Sequence, residues 1–120
     1  MPITVDWNDR ARAFIKCEFS DPWSLDQFIE ARKTWYRMIK SADHHVPIVL
    51  DMRETYEAPA GALRHFSAIH RTPHPRQGQL YVLGLNPPYR QLAPYIFRCQ
   101  DGAEHSVRLV DSIECVSLAP

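Results

Sequence analysis

A short apolar run in the middle of the chain, residues 46–51, constrains the fold more than any other stretch. Five of its six residues are apolar, and several are β-branched residues that favour strands. A continuous apolar run with little alternation is typical of a strand buried on both faces, inside a parallel or mixed sheet. Pro47 cannot donate a backbone hydrogen bond, so it fits near the start of the strand. The run therefore predicts a central strand that ends at Asp51, on the edge where α/β sheets place functional groups.

The flanking sequence predicts further elements on both sides of this strand. Alternating apolar residues indicate two N-terminal strands, 3–7 and 11–19, joined as an antiparallel hairpin. Ser24 stands three residues before Gln27, a capping-box spacing that begins a helix predicted over 25–40. The remaining predicted elements are two strands, 79–85 and 107–110, and three helices, near 58–71, 89–97 and 111–118.

Together these elements predict an α/β fold in one domain spanning residues 1–120. The order is β-β-α-β-α-β-α-β-α, and short apolar strands separated by helices imply a parallel sheet with right-handed crossovers. We expect a mixed sheet of about five strands, with the hairpin as its antiparallel edge and about four helices. The helix at 25–40 should bury a stripe containing Leu25, Phe28, Ile29, Tyr36 and Ile39, which Trp35 and Met38 widen.

Composition excludes several classes of protein. Fourteen basic residues balance fourteen acidic ones, whereas a nucleic-acid-binding protein usually carries a basic excess. The three cysteines, Cys17, Cys99 and Cys115, form no CxxC pair, which argues against a disulfide framework or a zinc site. Free thiols suit a reducing cytoplasm. The sequence shows no signal-peptide pattern and no apolar run of membrane-spanning length, so we expect a cytoplasmic protein without a membrane span.

The motifs of catalysis and cofactor binding are missing. The six histidines lack metal-ligand spacing, and no GxSxG, GxGxxG or GxxxxGK[ST] pattern occurs. An enzyme using a histidine with Asp51 or Glu54 is a minor alternative, because no second half of a catalytic pair can be named. We therefore expect a protein that is not an enzyme and that binds no metal or cofactor.

The stretch after the central strand is the best candidate for a binding site. It combines charges and an aromatic residue, and it leads into a predicted helix N-terminus, which attracts anions. One interpretation is a loop that docks a partner or gates a ligand. The other is an ordinary polar loop in which Arg53 pairs with Glu54, Glu57 or Asp51. The candidate partner-binding residues are Asp51, Arg53, Glu54, Thr55, Tyr56, Glu57 and Gly61.

The element order and four short motifs resemble the STAS domain, found in sulfate transporters and anti-sigma-factor antagonists. The motifs cover residues 3–7, 23–28, 48–53 and 109–114, and the chain looks most like small stand-alone bacterial STAS-like proteins. The resemblance implies a cytoplasmic regulatory module that binds other proteins. In the antagonists, a phosphorylatable serine precedes a glycine at the start of the next helix. Here Gly61 keeps the glycine, but Pro59 and Ala60 occupy the place of the serine. Thr55 is the only nearby hydroxyl, so we expect the usual phosphorylation switch to be absent.

Two functions from different classes remain open. The first is a non-enzymatic protein-interaction module, acting through residues 53–57 and the first turn of the next helix. The second is a small-ligand or lipid carrier with a cavity between sheet and helices, for which the candidate lining residues are Trp23, Trp35, Tyr36, Phe66 and Tyr89. Aromatic residues are enriched at interfaces, and zero net charge removes self-repulsion. We therefore also predict a homodimer, formed by the N-terminal edge strand or by a helix face carrying Trp35.

Overall fold

The computed structural model describes residues 2–8, 13–57, 77–87, 107–113 and 116 of the 120-residue chain. The elements in this part of the chain are β1 (Ile3–Trp7), β2 (Ile15–Ser20), α1 (Leu25–Lys40), β3 (Val46–Glu54), β4 (Gln77–Leu83) and β5 (Val107–Val110). The helices predicted near 58–71 and 89–97, and half of the residues of the one predicted at 111–118, lie outside the described residues. The expected number of helices therefore stays a prediction.

The five strands form one mixed sheet in the order β1-β2-β3-β4-β5. β1 and β2 are antiparallel, and each later neighbour pairs in parallel. This confirms the predicted α/β class, the five-stranded mixed sheet and the N-terminal hairpin at its edge. It also confirms that the two apolar runs lie side by side and parallel, with Ile48 opposite Leu80 and Leu50 opposite Val82.

β3 is the middle strand, and its side chains from Ile48 to Met52 are all buried. The strand continues to Glu54, so the prediction that it ends at Asp51 was wrong. Asp51 and Arg53 lie on the same face of β3 and pair with each other, which allows two charged residues to remain in the strand. β4 ends at Leu83, earlier than predicted, because Gly84 leaves extended geometry with φ of 67°.

The predicted N-terminus of α1 is confirmed, because both halves of the capping box are present. The Gln27 amide donates to Ser24 Oγ at 3.1 Å, and the Ser24 amide donates to Gln27 Oε1 at 2.7 Å. The buried face differs from the predicted stripe: it contains Phe28, Ala31, Trp35 and Ile39, whereas Leu25, Ile29 and Tyr36 are only half-buried. Trp35 is the largest apolar side chain of the helix, so its full burial removes the most apolar surface from water.

The burial of Trp35 corrects one of the two dimer surfaces expected from the sequence. Its side chain is 0% exposed and packs within the core, so a helix face carrying Trp35 cannot contact a second chain. Beside Trp35 in the helix, Tyr36 is also engaged within the chain, because Nε and Nη2 of Arg32 donate to its hydroxyl at 3.1 and 3.0 Å. The remaining surface predicted for a dimer is the N-terminal edge strand.

The sheet is buried on both faces, with the larger core under α1. The core under α1 includes Cys17, whose pKa burial raises far above its ordinary value, so the thiol stays protonated and unreactive. On the second face, a smaller apolar cluster contains Phe14, Val49, Tyr81, Leu83 and Val116. Among the described residues, no helix is both long and apolar enough to span a bilayer.

The central position of β3 predicts a severe effect for Ile48→Asp. Ile48 is fully buried, and an unpaired buried carboxylate costs several kcal/mol out of a total stability of roughly 5–15 kcal/mol. We expect the variant to be largely unfolded by circular dichroism at room temperature. The control Ile48→Val should stay folded and lose only about 0.5–1.5 kcal/mol. If Ile48→Asp melted within a few degrees of the parent chain, β3 would not be the centre of the core.

Candidate functional site

The candidate site lies at the carboxyl ends of β2 and β3, where the chain leaves the sheet. We call residues 53–57, which end β3 and follow it, the exit segment. The structure separates the predicted site residues into two groups: Asp51 and Thr55 are buried, and Arg53, Glu54, Tyr56 and Glu57 are exposed. Gly61 lies outside the described residues. The buried pair therefore holds the segment, and the exposed side chains face solvent.

Asp51 anchors the Arg53 side chain against the second face of the sheet. The Arg53 guanidinium donates to both carboxylate oxygens, from Nε to Oδ1 at 2.9 Å and from Nη2 to Oδ2 at 2.6 Å. Lys16 on β2 adds a weaker contact, with its Nζ 3.8 Å from Oδ2 of Asp51 and 3.3 Å from Oε1 of Glu18. A bidentate Arg–carboxylate pair fixes the plane of the guanidinium. Of the pairings considered from the sequence, Arg53 forms the one with Asp51.

The protonation of Asp51 follows from these contacts. Burial by itself would raise the pKa of the carboxyl group, but hydrogen bonds from the Arg53 side chain and backbone and the charges of Arg53 and Lys16 outweigh it. The pKa of Asp51 therefore lies below its ordinary value of 3.8, and the carboxylate raises the pKa of Arg53 in return. At neutral pH, Asp51 is an ionised anchor engaged by a cation and is poorly suited to act as a general base.

Thr55 ties the exit segment to the core under α1. Its Oγ1 accepts a buried hydrogen bond of 3.2 Å from Nε1 of Trp23, and its amide donates to the Met52 carbonyl at 3.0 Å. Trp23 in turn packs edge to face against Phe19 and Phe28, with ring centroids 5.0 and 5.8 Å apart. The Thr55 hydroxyl therefore faces the core, where a kinase could not reach it without displacing this contact.

Two further side chains hold the backbone of the exit segment. Oδ2 of Asp21 accepts from the amides of Tyr56 at 2.7 Å and Glu57 at 3.2 Å. The Asn86 side-chain amide lies 2.9 Å from the Thr55 carbonyl and 3.2 Å from the Arg53 carbonyl, and it donates to both. Sequence reasoning missed both anchors, which stand more than thirty residues away in sequence. The one local feature that could have pointed to them is that each residue precedes a proline, a pattern typical of turns.

Gly84, just after β4, provides the space that the Arg53 side chain needs. Its φ of 67° belongs to the left-handed region, and a Cβ at this position would overlap the Cγ atom of Arg53. Glycine therefore satisfies both a backbone and a steric requirement here. This close approach is a second reason why Arg53 has a defined position although its side chain is 53% exposed.

A small surface cavity of about 230 Å³ lies beside Arg53 and is lined by Glu18, Phe19, Ser20, Asp51, Arg53 and Glu54. Two residues after Glu54 in the chain, Tyr56 is the large hydrophobic side chain that the described part of the chain leaves exposed, with 60% of its surface accessible. No group of three or more His, Cys, Asp or Glu side chains in the described ranges could hold a metal ion. The arrangement presents charge and an aromatic ring at the surface.

The aromatic residues considered for a carrier cavity take other positions. Trp23 and Trp35 are buried in the core under α1, and Tyr36 packs at its margin. Phe66 and Tyr89 lie outside the described residues. In comparisons with known proteins, the chain matches no family model, and no curated protein or solved structure shows significant similarity to it.

The pKa of Asp51 predicts how stability depends on pH. Because the pKa is lower in the folded chain than the ordinary 3.8, the pair stabilises the fold above that pH, and this stabilisation is lost as the pH falls through the folded pKa. Asp51→Asn should lower the free energy of unfolding at neutral pH by about 1–2 kcal/mol, a value reduced by the exposure of Arg53. Urea unfolding at neutral pH and near pH 3 measures both effects.

The difference between the parent chain and Asp51→Asn should shrink at the lower pH, because Asp51 is then largely protonated in the unfolded chain and part of the stabilisation from the pair is lost. Glu18→Gln is the matched control, since Glu18 is 58% exposed and its pair with Lys16 is screened by solvent. It should change stability by less than about 0.5 kcal/mol. An equal loss for the two variants, or a loss from Asp51→Asn that does not depend on pH, would contradict the assigned role of Asp51.

Proposed function

We propose that this chain is a non-enzymatic protein-interaction module whose recognition surface is the exposed side of the exit segment. That surface comprises Arg53, Glu54, Tyr56 and Glu57. The observation that carries the proposal is the exposure of Tyr56 on a fixed backbone: its side chain is 60% accessible, while its amide is held by Asp21 at 2.7 Å.

A fixed backbone favours this function on energetic grounds. Ordering a flexible loop on binding costs conformational entropy and reduces affinity. Because Asp21, Asn86 and Thr55 already hold the exit segment, less conformational entropy is lost when a partner binds. Tyrosine and arginine are also the side chains that most often dominate binding energy at interfaces. Tyr56 supplies the aromatic ring, and Arg53 supplies a guanidinium whose position Asp51 fixes.

The charges around Tyr56 indicate the chemistry of the partner. Glu54 and Glu57 are exposed on either side of Tyr56 in the chain, Asp21 contacts its amide, and Asp51 already compensates Arg53. The surface is therefore acidic around an aromatic centre. The complementary partner is a protein with an apolar pocket for the tyrosine ring and lysine or arginine residues at the rim of that pocket.

The proposal extends to a STAS-like regulatory module of the cytoplasm. The antiparallel hairpin followed by α1 and by parallel strands supports it, because this is the first half of the order expected from that resemblance. Pro59 and Ala60 have no hydroxyl, and Thr55 directs its own into the core. In this proposal the exit segment docks its partner without a phosphorylation switch at the start of the next helix.

A photo-crosslinking experiment tests the recognition surface. The chain carrying a benzophenone amino acid at position 56 is irradiated in a lysate of its native cells. The same amino acid at Lys33, on the exposed face of α1, is the positional control. We expect one discrete adduct from position 56 that is absent from position 33. Unlabelled parent chain should compete for it, and the competitor Arg53→Ala/Tyr56→Ala should need about a tenfold higher concentration.

Two outcomes would contradict the proposed function. One is an absence of any adduct specific to position 56. The other is equal competition by the parent chain and by Arg53→Ala/Tyr56→Ala, which would place the binding elsewhere. Circular dichroism must show that the double variant is folded, because Arg53→Ala also removes the partner of the buried Asp51 carboxylate.

A further inference from the structure

The outer edge of β1 carries backbone groups that the described part of the chain leaves without a partner strand. The hairpin is closed by hydrogen bonds from the Ser20 amide to the Pro2 carbonyl at 2.8 Å and from the Asn8 amide to the Phe14 carbonyl at 2.9 Å. Antiparallel pairing alternates, so even-numbered residues of β1 direct their backbone groups toward β2. Ile3 and Val5 therefore direct their amide and carbonyl groups outward, where another strand could pair with them.

A groove of about 560 Å³ follows this edge, between β1 and one flank of α1. Ile3 and Val5 line it from the strand, and Asp26, Glu30 and Thr34 line it from the helix. We call this surface the edge groove. It combines a free strand edge with apolar side chains, which is the arrangement that β-strand addition uses.

The flank of α1 along the edge groove has opposite charges at its two ends. Asp26 and Glu30 are acidic residues near the N-terminus of the helix. Arg37 follows Asp26 by about three turns on the same flank, and its Nη2 donates to Oγ1 of the groove-lining Thr34 at 3.2 Å. An antiparallel copy of this flank would therefore place an acidic end against a basic end.

We infer that the edge groove binds a second copy of this chain, with β1 pairing antiparallel to β1 of the copy. A two-fold axis at Thr4 lets Ile3 of each copy exchange backbone hydrogen bonds with Val5 of the other, and it joins the two sheets into one. Because α1 runs in the same direction as β1, the same axis sets the two helices antiparallel. Asp26 of each copy then faces Arg37 of the other, and both ends of the flank are matched.

The charge pattern favours a second copy over an extended basic peptide. Such a peptide would complement Asp26, since Glu30 already pairs with Lys33 at 3.3 Å, but it would meet like charge at Arg37. A second copy places Arg37 against Asp26 and Asp26 against Arg37, so both charged ends of the flank face opposite charge. The edge groove shares no residue with the exit segment, so this inference stands or falls separately from the proposed function.

A charge exchange tests the arrangement directly. Light scattering over a concentration series should show the parent chain approaching twice its single-chain mass of 13.9 kDa. Asp26→Lys and Arg37→Glu should each weaken dimerisation by about tenfold, because each replaces two ion pairs with like-charge contacts. The double variant should recover most of the affinity. Within one chain these residues lie about 16 Å apart along the helix, so the recovery must arise between chains.

Two further variants separate dimer contacts from loss of folding. Glu57→Lys changes the net charge by as much as Asp26→Lys but lies in the exit segment, away from the edge groove, and it should leave the dimer unchanged. Val5→Pro removes an outward amide without breaking a β1–β2 hydrogen bond and should give a folded monomer. A single-chain mass at every concentration, or a double variant no better than the single ones, would overturn the inference. A monomer that binds a lysine-rich extended peptide at the groove would reassign the occupant.

Discussion

β3 pairs in parallel with β2 on one side and with β4 on the other, and the positions of the other elements depend on this double pairing. The strand has no solvent-facing edge, and apolar side chains cover both of its faces. It can therefore be formed almost entirely from residues that would be costly to expose. Parallel neighbours also bring the carboxyl ends of β2, β3 and β4 to one end of the sheet, and the candidate site lies there.

At that end the structure uses buried polar contacts to position exposed side chains. Thr55 bonds inward to Trp23, and Asp51 holds the guanidinium of Arg53. These contacts satisfy polar groups that would otherwise be costly to bury, and they also restrict the backbone position of Tyr56. Arg53 therefore belongs both to the proposed recognition surface and to the stabilising pair with Asp51. Tyr56 has no such buried partner among the described side chains, so its substitution should alter the proposed recognition with little effect on folding.

Local patterns in the sequence were sufficient to predict the elements whose causes are local. The apolar run of β3, the alternation of the hairpin and the Ser24–Gln27 capping box each act within a few residues. The end of β3 was missed because charged residues were interpreted as a loop, whereas Arg53 neutralises Asp51 within the strand. The anchoring by Asp21 depends on a contact across the fold, and no short window of sequence contains both partners.

The central claim is that the exit segment is a rigid surface, and backbone ¹⁵N relaxation tests it most directly. We predict order parameters near 0.85 for the amides of Tyr56 and Glu57, equal to those of β3, because Asp21 holds both amides. Asn86→Ala should lower them, since it removes the donor to the Arg53 and Thr55 carbonyls. Order parameters below about 0.6 in the parent chain would show a flexible segment and contradict the account.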